Sequence, residues 1–289
     1  MVHPVPAAPP PHATRPAGVA ATVAGRLRIG PVWALVALAV LVQIVYPLIP
    51  EAGRTAVTVL SVVVFAAASL ADCARVHGYL SALALAVVAG GGGLFVESLG
   101  LRTGFPFGEY HYTGTLGPEL FGVPVVVPLA WTMMAWPALV VGRTLCTRTV
   151  PVVLTAGLAL ASWDVFLDAQ MVAAGHWYWT HPDPGLPLVP GIPLTNYAGW
   201  VLVAVVICGA LHLALGGGPD GRRSRSTPAA VLYLWTYASS VLAHLAFFAL
   251  PGSALVGGLL MGAIAIPYGR KVTRATRSRA VAGSDTERG

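Results

Sequence analysis

The sequence predicts an all-α fold, a polytopic transmembrane bundle of about eight helices. Of its 289 residues 56% are hydrophobic and only 10% are charged, against about 25% charged residues in a typical soluble domain. The apolar residues gather into eight stretches, and crossing the hydrocarbon layer takes roughly 20 such residues per helix. The stretches lie near 32–49, 55–74, 79–96, 123–141, 150–172, 198–215, 229–250 and 254–268. The first follows Arg26 and Arg28 without a small-residue cleavage site, so it reads as a retained helix and not a signal peptide. The third contains the flexible run Gly90–Gly93. The fifth carries two acids, Asp164 and Asp168, and the sixth and seventh carry His212 and His244. The eighth is the shortest and contains Pro267, which makes seven spans with a re-entrant tail the competing count.

The connections divide the cations unevenly. With eight spans, fifteen of the 17 Lys and Arg fall on the side of the N-terminus and the alternate connections, and only Arg54 and Arg102 on the other. The positive-inside rule then orients the chain as a multi-pass cell-membrane protein with both termini cytoplasmic. The net charge of +6 is thus an orientation signal, and no nucleic-acid partner is expected. Residues 1–28, rich in Pro and Ala, and the basic segment 270–289 read as disordered tails flanking a membrane domain at 29–269. The cluster from Gly216 to Thr227 reads as a flexible loop near anionic headgroups. Cys73, Cys146 and Cys208 sit in or beside separate spans with no paired spacing, so neither disulfides nor a zinc site is expected.

Two connections on the cation-poor side, 97–122 and 175–196, are long and dense in Gly, Pro and aromatic residues. Loops of this length in a compact protein are usually functional, or else disordered, and this composition is not that of disorder. The bland reading of Phe105, Phe107, Tyr110 and Tyr112 is an interfacial aromatic belt; the functional one is a ligand-facing surface.

The acids argue for chemistry. Asp164 and Asp168 are four apart and share a helical face, and a carboxylate inside a membrane helix costs about 2.5–3.5 kcal/mol on insertion scales. Interfacial hydration near Trp177 and Trp179 is the simpler account; function is the weightier one. Glu97, at the end of the third span, is a third acid at the same depth. Three carboxylates without a compensating cation repel one another and resist desolvation. An acid held protonated is what an unactivated substrate needs as a proton donor.

Other chemistries find less support. His212 and His244 could ligate a haem from two helices, and His111, His176 and His181 flank the loops, but no ligand spacing such as HExxH is present. No phosphate-binding loop ending in Lys and Ser or Thr occurs. No metal or cofactor is expected.

Three runs in order, TGFPFGEYHYTGTLGPELFGVPVVVPLAW from Thr103, WDVFLDAQMVAAGHWYW from Trp163 and GIPLTNYAGW from Gly191, resemble the carotenoid-biosynthesis membrane proteins that include CruF-type carotenoid 1,2-hydratases and bisanhydrobacterioruberin hydratases. The resemblance runs from about the third span to the sixth. It implies addition of water across the C-1,2 double bond of an acyclic end group, with a long-chain carotenoid as substrate, the bilayer as surroundings and other carotenoid-biosynthesis enzymes as candidate partners. On that reading Asp164 or Asp168 donates the proton, and the other carboxylate or Glu97 restrains charge. Tyr110, Tyr112, Trp163 and Trp177 would face the cation, Asn196 would orient water, and Glu109 is a further acid in the glycine-rich loop. Where the family favours Asp-Pro before the methionine, this chain has Asp168-Ala169-Gln170. A lycopene-cyclase-like enzyme, a carotenoid- or quinone-binding protein and a transporter using the acids as a proton relay are the competing readings.

Overall fold

The computed structural model describes residues 30–216 and 226–286, with side chains to residue 278. The proposed tail 1–28 and the cations Arg222, Arg223 and Arg225 lie outside the described residues. Among the described residues eight helices are long and apolar enough to cross a membrane: α1 (Pro31–Val45), α2 (Glu51–His77), α3 (Tyr79–Thr103), α4 (Val126–Leu145), α5 (Thr149–Ala173), α6 (Leu194–Ala214), α7 (Thr227–Ala246) and α8 (Pro251–Thr286). Eight spans thus stand against the seven-span alternative.

Local chemistry sets the ends of these helices. Pro31 opens α1, where its fixed φ and missing N–H do no harm. Gly78, at φ 92°, breaks the chain between α2 and α3 in a conformation that side chains resist. Ser226 caps α7, its Oγ accepting from Ala229 N at 3.3 Å. The last helix outruns its apolar stretch. The segment from 270, expected as a disordered tail, is helical as far as Thr286, because Ala, Arg and Lys propagate a helix that is already nucleated.

Burial separates centre from rim. In α4 83% of the spanning window is buried inside the protein, whereas in α3 the share is 22%. Helix α4 is therefore the hub, packed by α2, α5 and α7. Leu80, Phe95, Val206, Leu213 and Leu259 point outward, a rim suited to lipid and wrong for water.

Alternating spans bring the two long loops to one end of the bundle, and there they pair. Strand β1 (Tyr110–Tyr112) of the first loop runs antiparallel to a strand, Trp177–Trp179, of the second, with Tyr110 opposite Trp179 and Tyr112 opposite Trp177. In chain order β2 (Glu119–Leu120) and β3 (Val123–Pro124) close the first loop, Trp177–Trp179 is β4, and β5 (Gly185–Leu186) and β6 (Val189–Pro193) form a hairpin leading into α6. The result is a small aromatic lid across the bundle. Side chains alternate along a strand, so Tyr110, Trp177 and Trp179 turn inward while His111 and Tyr178 turn out.

Candidate active site

Helix α3 brings Glu97 to the underside of this lid. It contains a wide π-helical turn at Ala86–Gly91, followed by further glycines. A Cβ at Gly93 would lie 2.5 Å from the ring of Trp131, and one at Gly100 would lie 3.1 Å from the Tyr110 hydroxyl. Glycine at both positions lets two aromatic donors close on the same carboxyl group. Trp131 Nε1 donates to Glu97 Oε1 at 3.0 Å, and the Tyr110 and Tyr112 hydroxyls donate to Oε2 at 2.6 and 3.0 Å. Burial, and then the Glu97 carboxylate, push both phenols of the lid far above their ordinary pKa. They therefore stay protonated and act as donors.

Helix α5 supplies the other acids. Asp164 and Asp168 share a face, and Asn196, in the first turn of α6, lies against both. Its Nδ2 donates to Asp164 Oδ2 at 3.2 Å and to Asp168 Oδ2 in a closer contact. Trp177 of the lid donates to Asp168 Oδ1 at 3.2 Å, while Asp164 Oδ1 is buried with no hydrogen-bond partner among the described residues. Asp168 and Asn196 line a cavity beneath the lid, with Glu97 on its wall; Asp164 is fully buried behind them. The remaining wall is largely aromatic: Phe107, Tyr110, Tyr112, Trp131, Trp177 and Trp200. Trp131 and Trp200 stack with centroids 4.0 Å apart. A mostly apolar wall with a few convergent polar groups is the usual make-up of a small-molecule site.

No Lys or Arg among the described residues pairs with these three acids. Asp72, a fourth buried carboxylate at the opposite end of the bundle, shows the contrast. It accepts from Arg75 at 2.7 Å, from Trp136 at 2.8 Å and from Ser226, the full pairing expected of a structural charge.

Compared with protein families, the chain matches one described as carotenoid biosynthesis protein over residues 53–264. The chain belongs to that family. The bisanhydrobacterioruberin hydratase of Haloarcula japonica is 36% identical over 121 residues, covering 39% of this chain and 39% of that relative. The alignment thus spans well under half of the relative's length. No solved structure matches.

In this carotenoid-biosynthesis protein the lid and helices gather Glu97, Asp168, Asn196, Tyr110, Tyr112 and Trp177 around one cavity. Asp164 stands one layer behind. Trp163 packs edge-on to Trp200, with centroids 6.3 Å apart, and faces a neighbouring cavity instead. Glu109 is the exception among the expected residues. It is exposed, within 3.9–4.0 Å of His111 and His181, because it precedes inward-facing Tyr110 in an alternating strand. The haem alternative needs His212 and His244 together, but they sit at opposite ends of the bundle. His212 receives Arg143, and His244 pairs with Ser253. His176 of the lid is buried, which lowers its pKa, and its Nδ1 contacts Thr115 at 2.7 Å. Phe107, read from the sequence as part of an aromatic surface, lines the chamber, whereas Trp131 and Trp200 were not singled out. The two tryptophans end the runs VPLAW and NYAGW, and that shared position beside the polar motifs was the available signal.

Proposed function

We propose that this family member adds water across the terminal trisubstituted double bond of a long acyclic carotenoid, with Asp168 as the proton donor. The observation that carries the reading is that one carboxyl of an acid pair opens into an aromatic chamber while the other is sealed behind it. Asp168 transfers its proton to C2 of the alkene, and the π electrons form the new C–H bond. The tertiary cation left at C1 faces the rings of Tyr112, Trp131, Trp177 and Trp200. Such ring faces contribute up to about 2 kcal/mol each when desolvated. Glu97, its carboxyl oxygens held by Trp131, Tyr110 and Tyr112, adds a preorganised polar group on the chamber wall. Water attacks C1, and its surplus proton passes to the acid pair, which restores the starting state. Asp164 and Asn196 act from behind: the amide hydrogens hold both carboxyls in place, and the amide oxygen is left to accept from water.

The hydratase name of the relative supports this reading, as does the absence of any cation that would neutralise the acids among the described residues. Expression in a lycopene-producing bacterium is expected to yield pigment heavier by one water per modified end. A product of unchanged mass would indicate cyclisation, and unchanged pigment in a well-expressed membrane fraction would favour a binding protein.

The described cations also support an orientation. Arg75, Arg143, Arg148, Arg270 and Lys271 gather at the end away from the lid, leaving Arg54 and Arg102 at the lid end. We place the lid on the non-cytoplasmic side. A reporter fused after Leu215 is then expected to be cytoplasmic and one inserted at 187–188 external; the reverse pattern would invert the orientation.

A further inference from the structure

A second cavity lies between α1, α2, α5 and α7. It shares Thr58, Val62, Leu167 and Met171 with the acid chamber, so the two spaces adjoin at these side chains. Its lining differs from the aromatic chamber. Gln43, Ser61, Gln170, Ser239 and Ser240 face it from four helices of a membrane bundle. Gln43 accepts from Trp235 Nε1 at 2.8 Å, and Ser239 donates back to its own helix. The side chains of Ser61, Gln170 and Ser240 have no hydrogen-bond partner among the described residues. Unsatisfied polar groups at membrane depth are costly beside hydrocarbon. A polyene chain in this cavity would leave them unpaired, whereas water would satisfy them, and buried water sits where two to four polar groups converge.

We infer that this polar cavity is the internal water store of the enzyme, feeding the acid chamber past Thr58, Leu167 and Met171. The inference rests on the hydratase reading and adds to it the origin of the second reactant. A dry aromatic chamber favours the cation, since bulk water there would hydrate the acids before the substrate. Water admitted singly through a narrow side passage reconciles the two needs.

The test uses the full chain in membranes with lycopene in deuterated buffer, comparing wild type with a Gln170→Leu/Ser240→Val double variant. Two quantities are read: carotenoid that has gained water, and recovered carotenoid carrying carbon-bound deuterium from protonation followed by reversal. Drying the store is expected to lower hydrated product about tenfold, the scale of losing a hydrogen-bonded water site, while deuterium incorporation into recovered carotenoid persists or rises. A Gln170→Asn/Ser240→Thr variant, which keeps the polar groups, is expected to hydrate normally and controls for packing. If hydration and deuterium incorporation fall together, the cavity holds the polyene and the inference is overturned. Unchanged hydration in the double variant overturns it as well, because water then arrives elsewhere. Neither product from wild type would instead remove the hydratase reading itself.

Discussion

An Asp168→Asn variant is expected to lose hydration by about 10²–10⁴-fold, the range for removing a positioned general acid, with little loss of folded protein. The asparagine is isosteric, and its amide oxygen can still accept from Asn196 or Trp177, the two donors that hold the native carboxyl. What disappears is the transferable proton at the chamber wall. Asp164→Asn makes the informative comparison. Asp164 has no face on the chamber, so its loss leaves the donor in place and removes only the second carboxyl behind it. Its effect is expected to be smaller, on the order of tenfold, as for one charge-assisted hydrogen bond. Chromatographic product yield at matched membrane levels measures both. Equal loss in the two variants would mean that the pair acts as one unit, and a larger loss at Asp164 would reverse the assignment.

Glu97→Gln is expected to damage both activity and stability, in contrast to Asp168→Asn. Trp131, Tyr110 and Tyr112 all aim donors at the two carboxyl oxygens. A glutamine offers one oxygen and turns an N–H₂ toward the remaining donors. Leaving a buried donor unsatisfied costs about 1–3 kcal/mol, and the tyrosines tie the lid to α3, so thermal unfolding in detergent should shift to lower temperature. Removing this preorganised carboxyl from the chamber wall is expected to lower hydration by about 10²–10³-fold, as for loss of one preorganised electrostatic partner. The further substitution Tyr112→Phe on the Glu97→Gln background removes one orphaned donor and is expected to recover part of the stability and none of the activity. Recovery of activity would show that Glu97 acts only by holding the lid.

The membrane fold was legible because hydrocarbon imposes a coarse requirement, a long apolar run, that survives any detail of packing. The eight runs and the eight helices correspond; their ends differ, as at α8, where helix propagation continues beyond hydropathy. Asp164 and Asp168 were legible as a pair because helical spacing alone puts them on one face. Which of the two faces substrate was not, since that depends on how α6 and the lid pack against α5. The β1 to β4 pairing was also hidden. Each strand is three residues long, too short for an alternation pattern, and its partner lies across two spans. That pairing decides that Tyr110 and Tyr112 reach Glu97 while Glu109 does not. Trp131 and Trp200 resemble ordinary core tryptophans in sequence and become wall residues only through their stacking.

The most direct test of acid-catalysed hydration is to convert lycopene with the wild-type chain in deuterated buffer and locate the label in the product. Protonation by Asp168 followed by water capture is expected to leave one carbon-bound deuterium beside each new tertiary alcohol, retained after the hydroxyl deuterium is washed out. A hydroxylated product without carbon-bound deuterium would contradict the account, because its oxygen would then have arrived without protonation of the alkene.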